Sequence, residues 1–218
     1  MSGGVGLARL KRVVLERLMQ YYRFLNRKTA SRPLKTITSA QIAEALDVDP
    51  TQVRKDFGAI GLVGIGRVGY QVEEVCCTIR RVLGLDLEKR AVIIGAGRLG
   101  GALLAYGGFD KYGLRILGIF DNDPRKIGRK LEGYTIEPVR TLKPFIRKYD
   151  IELAILATPV EVAQTLADRV VSAGVKAIWN FAPTRLTVPE TVLVRNEHIS
   201  LGLAKITYFL RQEHDSRE

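Results

Sequence analysis

Cysteine and histidine are both scarce in this sequence. The two cysteines, Cys76 and Cys77, are adjacent, and the two histidines are His198 and His214. Two cysteines make neither a zinc site nor a disulfide framework, so we expect no metal centre and no structural disulfide. Buried apolar packing is the favoured role of the cysteine pair, with a vicinal redox pair as the alternative. Two histidines also leave few candidates for general acid–base chemistry.

Long apolar runs are also missing. The sequence contains no stretch of about 20 apolar residues, the length that spans a bilayer. Residues 1–12 contain no hydrophobic signal region. We therefore expect no membrane span, no secretion and a cytoplasmic location. The length of 218 residues allows one or two domains.

Positive charge is concentrated towards the N-terminus. The net charge is +11, and residues 1–84 carry 14 Lys and Arg against 7 Asp and Glu, whereas residues 85–218 carry 20 against 16. A basic excess confined to one part of a chain favours an anionic partner there, most simply nucleic acid.

A glycine-rich turn organises the rest of the chain. Three β-prone residues, Val92 to Ile94, precede a G-x-G-x-x-G pattern over residues 95–100, and a run of small residues follows it. In this pattern Gly95 permits the tight turn, Gly97 admits a pyrophosphate and Gly100 lets helix and strand pack closely. Asp121 follows Gly100 by 21 positions, at the end of a second predicted strand. An acid there accepts hydrogen bonds from a ribose 2′-hydroxyl, which favours NAD(H) over NADP(H).

Strands and helices alternate beyond this turn. A buried strand is predicted over residues 151–157, a helix from Thr158 with a capping box and Pro159 in its first turn, and another strand over 175–179. This alternation predicts a Rossmann-type, doubly wound parallel sheet whose ligand loops lie at the carboxyl ends of the strands. The expected cofactor-binding residues are Gly95, Ala96, Gly97, Arg98, Leu99, Gly100, Asp121, Ala157, Thr158, Pro159, Asn180, Phe181, Ala182 and Pro183.

The N-terminal part has the pattern of a winged helix-turn-helix. Apolar spacing predicts helices over residues 13–26, 40–46 and 52–60, the second capped by Ser39 and the third by Thr51 or Asp49. Residues 61–70 alternate glycine with apolar side chains, as in a β-hairpin wing. A helix-turn-helix places its second helix in the major groove, where Arg and Gln read bases. The expected DNA-binding residues are Ser39, Thr51, Gln52, Arg54, Lys55 and Arg67. A basic helical domain used for protein contacts remains the alternative.

Three domains follow from these patterns. We expect a winged-helix domain over residues 1–84, a dinucleotide-binding domain over 85–196, and a C-terminal dimerisation helix and tail over 197–218. The terminal helix, predicted over residues 199–210, has an apolar face too wide for a chain end, which would normally fray. It packs either on its own domain or on a second subunit, and we favour the second subunit.

Five segments together resemble the family of redox-sensing transcriptional repressors called Rex. They are residues 21–25, 53–57, the 61–70 wing, the 95–100 turn with Tyr106, and Asn180 to Pro183. The resemblance implies a homodimer that binds double-stranded operator DNA and senses the NADH/NAD⁺ ratio. In such proteins the dimer closes and leaves the operator when NADH is bound, and the C-terminal helix is swapped onto the partner.

The same resemblance implies a redox switch of Arg, Tyr and Asp. Arg23 and Tyr106 match the first two members, but the Asp position falls on His198. A histidine near neutral pH cannot replace a fixed negative charge. Because NAD⁺ and NADH differ at the nicotinamide, we also expect Tyr106 and Phe181 to line the pocket for that ring.

Two other functions remain open at this point. One is a DNA-binding regulator of another nucleotide, such as NADPH or an adenylate, since Arg125 and Lys126 follow Asp121. The other is an NAD-dependent dehydrogenase with a basic appendage. An enzyme is disfavoured because His214 lies in a polar tail and no catalytic domain follows the nucleotide domain.

Overall fold

The computed structural model describes residues 10–31, 33–197 and 199–215. The chain divides into two compact units, with the division between Leu87 and Glu88. Among the described residues, no helix combines the length and apolar character needed to cross a bilayer. Within the same residues, no cluster of three or more His, Cys, Asp and Glu side chains is arranged to hold a metal ion.

The first unit is mainly helical. Its helices and strands are α1 (Arg12–Ser31), β1 (Thr36–Ile37), α2 (Ser39–Leu46), α3 (Pro50–Ala59), β2 (Tyr70–Gln71) and α4 (Val72–Val82). The apolar faces of these helices meet in one core, which includes Leu18, Tyr21 and Leu25 of α1. On α3 the residues predicted to face inward, Val53 and Phe57, are fully buried. Helical periodicity therefore identified the core of this unit.

The predicted cap of α2 needs correction, whereas one of the two alternatives predicted for the cap of α3 is confirmed. Thr38, not Ser39, caps α2, because Thr38 and Gln41 form a capping box in which side chain and backbone bond reciprocally. Ser39 is instead the first helical residue. The cap of α3 is Asp49, whose carboxylate accepts the Thr51 N–H, and Pro50 occupies the first turn. Thr38 and Ser39 are adjacent, and the hydroxyl of either can cap a helix. The sequence alone therefore does not show which of them is the cap.

The wing is smaller than a β-hairpin. Ile65 and Gly69 form one antiparallel bridge, with the Ile65 N–H donating to Gly69 at 2.7 Å and the Gly69 N–H donating back at 2.8 Å. Arg67 lies at the tip in the left-handed region, with φ +64°. The chain then pairs β2 with β1 in an antiparallel two-stranded sheet. The glycines shorten the ladder, because each removes a side chain that would stabilise it.

The cysteine pair divides between core and surface. Cys76 is half-buried against the core of the first unit, whereas Cys77 is exposed. Adjacent residues on a helix point in different directions, so only one of them faces the core. Burial raises the pKa of the Cys76 thiol. Packing is thus the role of Cys76 alone. The prediction that Cys77 is also buried in the core was wrong.

The second unit is an α/β domain. Its strands and helices are β3 (Lys89–Ile94), α5 (Arg98–Ala105), β4 (Leu114–Asp121), β5 (Lys130–Leu131), β6 (Tyr134–Pro138), α6 (Leu142–Tyr149), β7 (Leu153–Leu156), α7 (Val160–Ala173), β8 (Ala177–Asn180), β9 (Leu193–Asn196) and α8 (Ile199–Asp215). In the described residues these strands form one sheet in the order β5-β6-β4-β3-β7-β8-β9. Only the β5–β6 pair is antiparallel. The doubly wound parallel sheet is confirmed.

Both faces of this sheet are covered. One core packs α6 and α7 against the sheet, with Phe120, Leu142 and Ala167 among its buried residues. The opposite face is covered by α5 and a short 3-10 turn at Phe109–Tyr112. The order of strands therefore brings the ends of β3, β4, β7 and β8 to one edge, where ligand loops are expected.

Three features of this unit differ from what the sequence predicted. The capping box at Thr158 is not formed, because Pro159 is the cap residue of α7 and makes no side-chain cap bond. The edge strand β9 was not expected from the sequence. The terminal helix α8 is longer than predicted, and Leu203, Ile206, Tyr208, Phe209 and Leu210 along it are 52–66% exposed.

Candidate nucleotide and DNA sites

Gly95 and Gly100 are required by close backbone contacts. Gly95 has φ +105°, and a Cβ there would collide with the backbone carbonyl of Ala157 at the end of β7. A Cβ at Gly100 would collide with the carbonyl oxygen of Gly95. Any larger side chain would push α5 away from β3, so these two glycines set the shape of the turn.

Gly97 differs from its neighbours because space is open beside it. It caps α5 with an extended backbone, and a Cβ built there would meet nothing within 4 Å. The first backbone bond of the helix runs from the Gly101 N–H to the Gly97 carbonyl at 2.9 Å. The N–H groups of a first helical turn have no partner within the helix, and they attract phosphate. The space beside Gly97 therefore suits a pyrophosphate.

A cavity of about 500 Å³ opens beside this turn. That volume falls in the range of small-molecule sites. It brings together Gly95, Gly97, Arg98, Leu99, Asp121, Ala157, Thr158 and Pro159 of the predicted cofactor residues. It does not include Ala96, Gly100, Tyr106, Asn180, Phe181, Ala182 or Pro183 in its lining. The residues that sequence reasoning did not assign to it are Ile94, Asn122, Lys126, Val139, Val162 and Leu166.

Asp121 is fixed at one end of the cavity by three donors. The Ala96 N–H donates to its Oδ2 at 2.8 Å, the Asp123 N–H to its Oδ1 at 2.8 Å, and Lys126 Nζ to its Oδ2 at 2.9 Å. Burial opposes ionisation of this carboxyl, but these three donors outweigh it and lower its pKa. Asp121 is therefore a carboxylate held in place, as a ribose-binding acid requires.

Thr158 presents a polar atom without a partner. Its Oγ1 is buried and has no hydrogen-bond partner among the described residues, while its methyl group lies beside Gly95. Thr158 also lines the cavity. A buried hydroxyl left unpaired is costly, and a bound ligand or water would satisfy it. Three features of the cavity therefore fit a dinucleotide: the unpaired Thr158 Oγ1, the open space beside Gly97 and the fixed carboxylate of Asp121.

An aromatic row lies on the other side of the strand ends. Tyr106 packs edge-on against Phe109 at a centroid distance of 5.0 Å, Phe109 against Trp179 at 6.0 Å, and Trp179 against Phe181 at 5.0 Å. Two of its members, Tyr106 and Phe181, are the residues expected to line a nicotinamide pocket. The row therefore joins these two side chains through Phe109 and Trp179.

Asn180 holds the loop that carries Phe181. Its side chain is buried and donates to the carbonyls of Ala182 and Thr184 and to Asn196 Oδ1, while its Oδ1 accepts the Ala182 N–H. These bonds use both ends of the amide. Asn180 thus shapes the loop from inside.

The outer face of α3 carries the predicted DNA contacts. Arg54 and Lys55 are exposed, and Arg54 donates to Ser39 Oγ at 3.2 Å and Thr51 Oγ1 at 3.0 Å. One guanidinium thus links the start of α2 to the start of α3. Gln52 is only partly exposed, because its amide donates to Asp56 Oδ1 at 2.8 Å. Its side chain supports α3 in this structure.

Asp56 is a buried carboxylate that sequence reasoning missed. Arg17 of α1 binds it through two donors, Nε to Oδ2 at 2.6 Å and Nη2 to Oδ1 at 2.7 Å, and the Tyr21 hydroxyl donates at 2.9 Å. Burial raises the pKa of Tyr21. The available signal was an acid at the third position after Val53, on the face that also holds Phe57. These contacts fasten α3 to α1.

Both units of the chain match known protein families. Residues 86–184 match the family model described as CoA binding domain, and residues 12–58 match the one described as putative DNA-binding protein N-terminus. A protein of Carboxydothermus hydrogenoformans named redox-sensing transcriptional repressor Rex is 40% identical over 94% of this chain and 98% of its own length. The chain belongs to the Rex family.

Solved Rex structures match the whole architecture. The structure of RSP with β-NAD⁺ and operator DNA has a TM-score of 0.90 at 38% identity, covering 96% of each chain. The structure of RSP with β-NADH has a TM-score of 0.85 at 37% identity, covering 96% of this chain and 98% of the other. The winged-helix and Rossmann assignment is therefore confirmed. The similar proteins are named repressors, which agrees with the expectation that the chain is not an enzyme.

The three residues of the expected Rex switch have separate positions. Arg23 is exposed on α1 in the first unit. Tyr106 follows α5 in the second unit and is 53% exposed. His198 lies outside the described residues. The switch that they form therefore stays a prediction.

Proposed function

We propose that this chain is a homodimeric transcriptional repressor that senses the NADH/NAD⁺ ratio and leaves its operator when NADH is bound. The observation that carries the proposal is the joining, in one chain, of a glycine turn with a fixed Asp121 and a winged helix with an exposed basic α3. RSP structures carry β-NAD⁺ with operator DNA, or β-NADH. A protein of this class works in the cytoplasm.

The residues of the cavity have separate tasks towards the cofactor. Gly97 and the first turn of α5 hold the pyrophosphate, Asp121 accepts from the ribose, and the Thr158 hydroxyl gains the partner that it lacks. The bound nicotinamide supplies the redox signal, because its oxidised form carries one more positive charge and one hydride fewer. Tyr106 and Phe181 contact that end of the cofactor.

The basic residues after Asp121 favour NAD(H) over NADP(H). Arg125 donates to Asp123 through Nε at 3.0 Å and Nη2 at 2.9 Å, and Lys126 donates to Asp121. Both cations already face a carboxylate. A 2′-phosphate at this position would meet Asp121, which repels it, whereas a 2′-hydroxyl donates to it.

The exposed apolar residues of α8 support a homodimer. Five large apolar side chains of this helix are more than half exposed in the single chain. Patches of this kind mark interaction surfaces. A second copy that exchanges the helix would bury them, and a dimer presents two α3 helices to a two-fold operator.

Sensing requires the two cofactor forms to favour different dimers. A ligand shifts an equilibrium only by its differential affinity for the two states. A shift from 1:99 to 99:1 needs about 5.5 kcal/mol of difference, and partial control needs less. The contacts of Tyr106 and Phe181 with the nicotinamide are where that difference arises.

The test is an operator titration. A labelled duplex, selected from a random-sequence pool by the protein itself in NAD⁺, is held in complex while NADH, NAD⁺ and NADPH are added in parallel. We expect fluorescence anisotropy to fall with NADH at concentrations where NAD⁺ and NADPH have little effect. Anisotropy that stays constant at saturating NADH would refute the proposed function.

A further inference from the structure

Trp179 contacts Phe109 and Phe181 of the aromatic row and lies on β8, next to the edge strand β9. It lies on β8 two residues before Phe181, so both rings project from the same face, and their centroids are 5.0 Å apart. Phe109 contacts the indole edge-on at 6.0 Å. Because each packed ring fills the space beside the next, a displacement of one ring requires its neighbour to adjust.

The indole N–H of Trp179 reaches Glu197. Trp179 Nε1 donates to Glu197 Oε1 at 3.1 Å, and Arg195 Nε donates to the same oxygen at 2.9 Å. Arg195 is the β9 partner of Trp179 in the sheet register. The Glu197 N–H donates to the Asn180 carbonyl at 2.9 Å, so its backbone is tied to β8 as well. Glu197 is thus held from both its side chain and its backbone.

Glu197 precedes the terminal helix by two positions, since α8 begins at Ile199. A change in the position of the Glu197 carboxylate would therefore act close to the first turn of α8. The Glu197 carboxylate is a charged acceptor shared by two donors, and a hydrogen bond to a charged acceptor is stronger than a neutral one.

We propose that Trp179 and Glu197 are a positioning pair that couples the nicotinamide end of the site to the terminal helix. The inference rests on the proposed function, in which Phe181 contacts the nicotinamide. A ligand that displaces the Phe181 ring displaces the Trp179 ring beside it. The hydrogen bond from the indole N–H to the Glu197 carboxylate then shifts or breaks. The orientation of α8 changes at its N-terminal end as a result.

The experiment compares four variants of the full-length protein. Glu197→Ala removes the acceptor, Glu197→Gln keeps an amide oxygen in its place, and Trp179→Phe keeps a ring but removes the N–H. Glu190→Ala removes an exposed carboxylate of the preceding loop and serves as the matched control. Each variant is measured for operator affinity with NAD⁺ and with NADH, and for NADH affinity without DNA.

NADH affinity has a convenient readout in the Glu197 variants. Trp179 is the only tryptophan, so energy transfer from its emission to bound NADH reports occupancy at that position. Calorimetry replaces this readout for Trp179→Phe. A purely structural role for the pair would lower NADH affinity or stability, whereas a coupling role changes only the NADH effect on operator binding.

We expect Glu197→Ala and Trp179→Phe to bind NADH and the operator in NAD⁺ as the parent does. The factor by which NADH weakens operator binding should fall about tenfold in both, the factor lost with one hydrogen bond to a charged group. Glu197→Gln should restore part of it, because a neutral amide oxygen accepts the indole N–H more weakly than a carboxylate does, and Glu190→Ala should leave it unchanged.

Two results would overturn the inference. If Glu197→Ala and Trp179→Phe keep the parental factor, the pair does not couple the sites, and the proposed function still stands on the parent's response. If the parent itself shows no NADH effect on the operator, the proposed function fails and the inference fails with it.

Discussion

Asp56 offers the sharpest test of how α3 is held. Its side chain is 3% exposed and that of Arg17, which it binds through two hydrogen bonds, is 19% exposed. Asp56→Asn keeps the shape of the side chain but removes the charge. Arg17 then remains mostly buried without its counter-charge, and Tyr21 loses a charged acceptor.

The cost follows from burial. Breaking one partner of a buried ion pair costs 3–5 kcal/mol, and because Arg17 keeps some exposure we expect about 3 kcal/mol. Burial opposes ionisation of Asp56, but the hydrogen bonds from Arg17, Tyr21 and Gln52 outweigh it and lower its pKa. A lowered carboxyl pKa stabilises the fold above the unfolded value of about 4, and this stabilisation is lost as the pH falls through the folded value. Asp56→Asn should remove that part of the acid sensitivity.

Hydrogen–deuterium exchange measures the effect within each unit. Amides of α1 and α3 should exchange roughly 100-fold faster in Asp56→Asn, since each 1.4 kcal/mol is a factor of ten. The exchange rates of the β3 and β7 amides should not change. The control is Glu16→Gln, which removes the Arg12–Glu16 pair, whose side chains are 70% and 57% exposed. An exposed pair of this kind is worth at most about 0.5 kcal/mol. Equal effects of the two substitutions would refute the assigned role of Asp56.

Three further substitutions separate the two sites. Gly97→Val should abolish NADH binding in a calorimetric titration and leave operator binding intact, because its side chain fills only the open space beside the turn; unchanged NADH affinity would exclude Gly97 from the site. Arg54→Ala should weaken operator binding by ~1–3 kcal/mol if it reads a base, and an unaltered gel-shift affinity would remove it from the contact surface. Asp121→Asn should weaken NADH binding about tenfold through the lost charged acceptor, and it should reduce the preference for NADH over NADPH. An unchanged preference would show that another group selects the cofactor.

Local chemistry explains what the sequence could predict. The glycine turn, Asp121 and the ends of the parallel strands follow from residues that lie close together in the chain. Gly100 tolerates no Cβ because of the carbonyl oxygen of Gly95 in the same turn. The inward residues of α3, Val53 and Phe57, follow from helical spacing alone.

Long-range partners explain what it could not. No residue near Asp56 in the sequence shows that its carboxylate is paired, because its partner Arg17 lies 39 positions earlier in the chain. The link from Trp179 to Glu197 depends on β9, a four-residue edge strand that is too short to show a clear pattern in the sequence. Thr158 follows the signature of a helix cap, but Pro159 takes that position and leaves the hydroxyl without a partner.

The most direct test of the central claim measures the coupling from the cofactor side. The dissociation constant of NADH is determined for the free protein and for the protein saturated with its selected operator duplex. Linkage requires the operator to weaken NADH binding by the same factor by which NADH weakens operator binding. We predict that equality, with a factor well above one. Identical NADH affinities with and without the duplex would contradict the account.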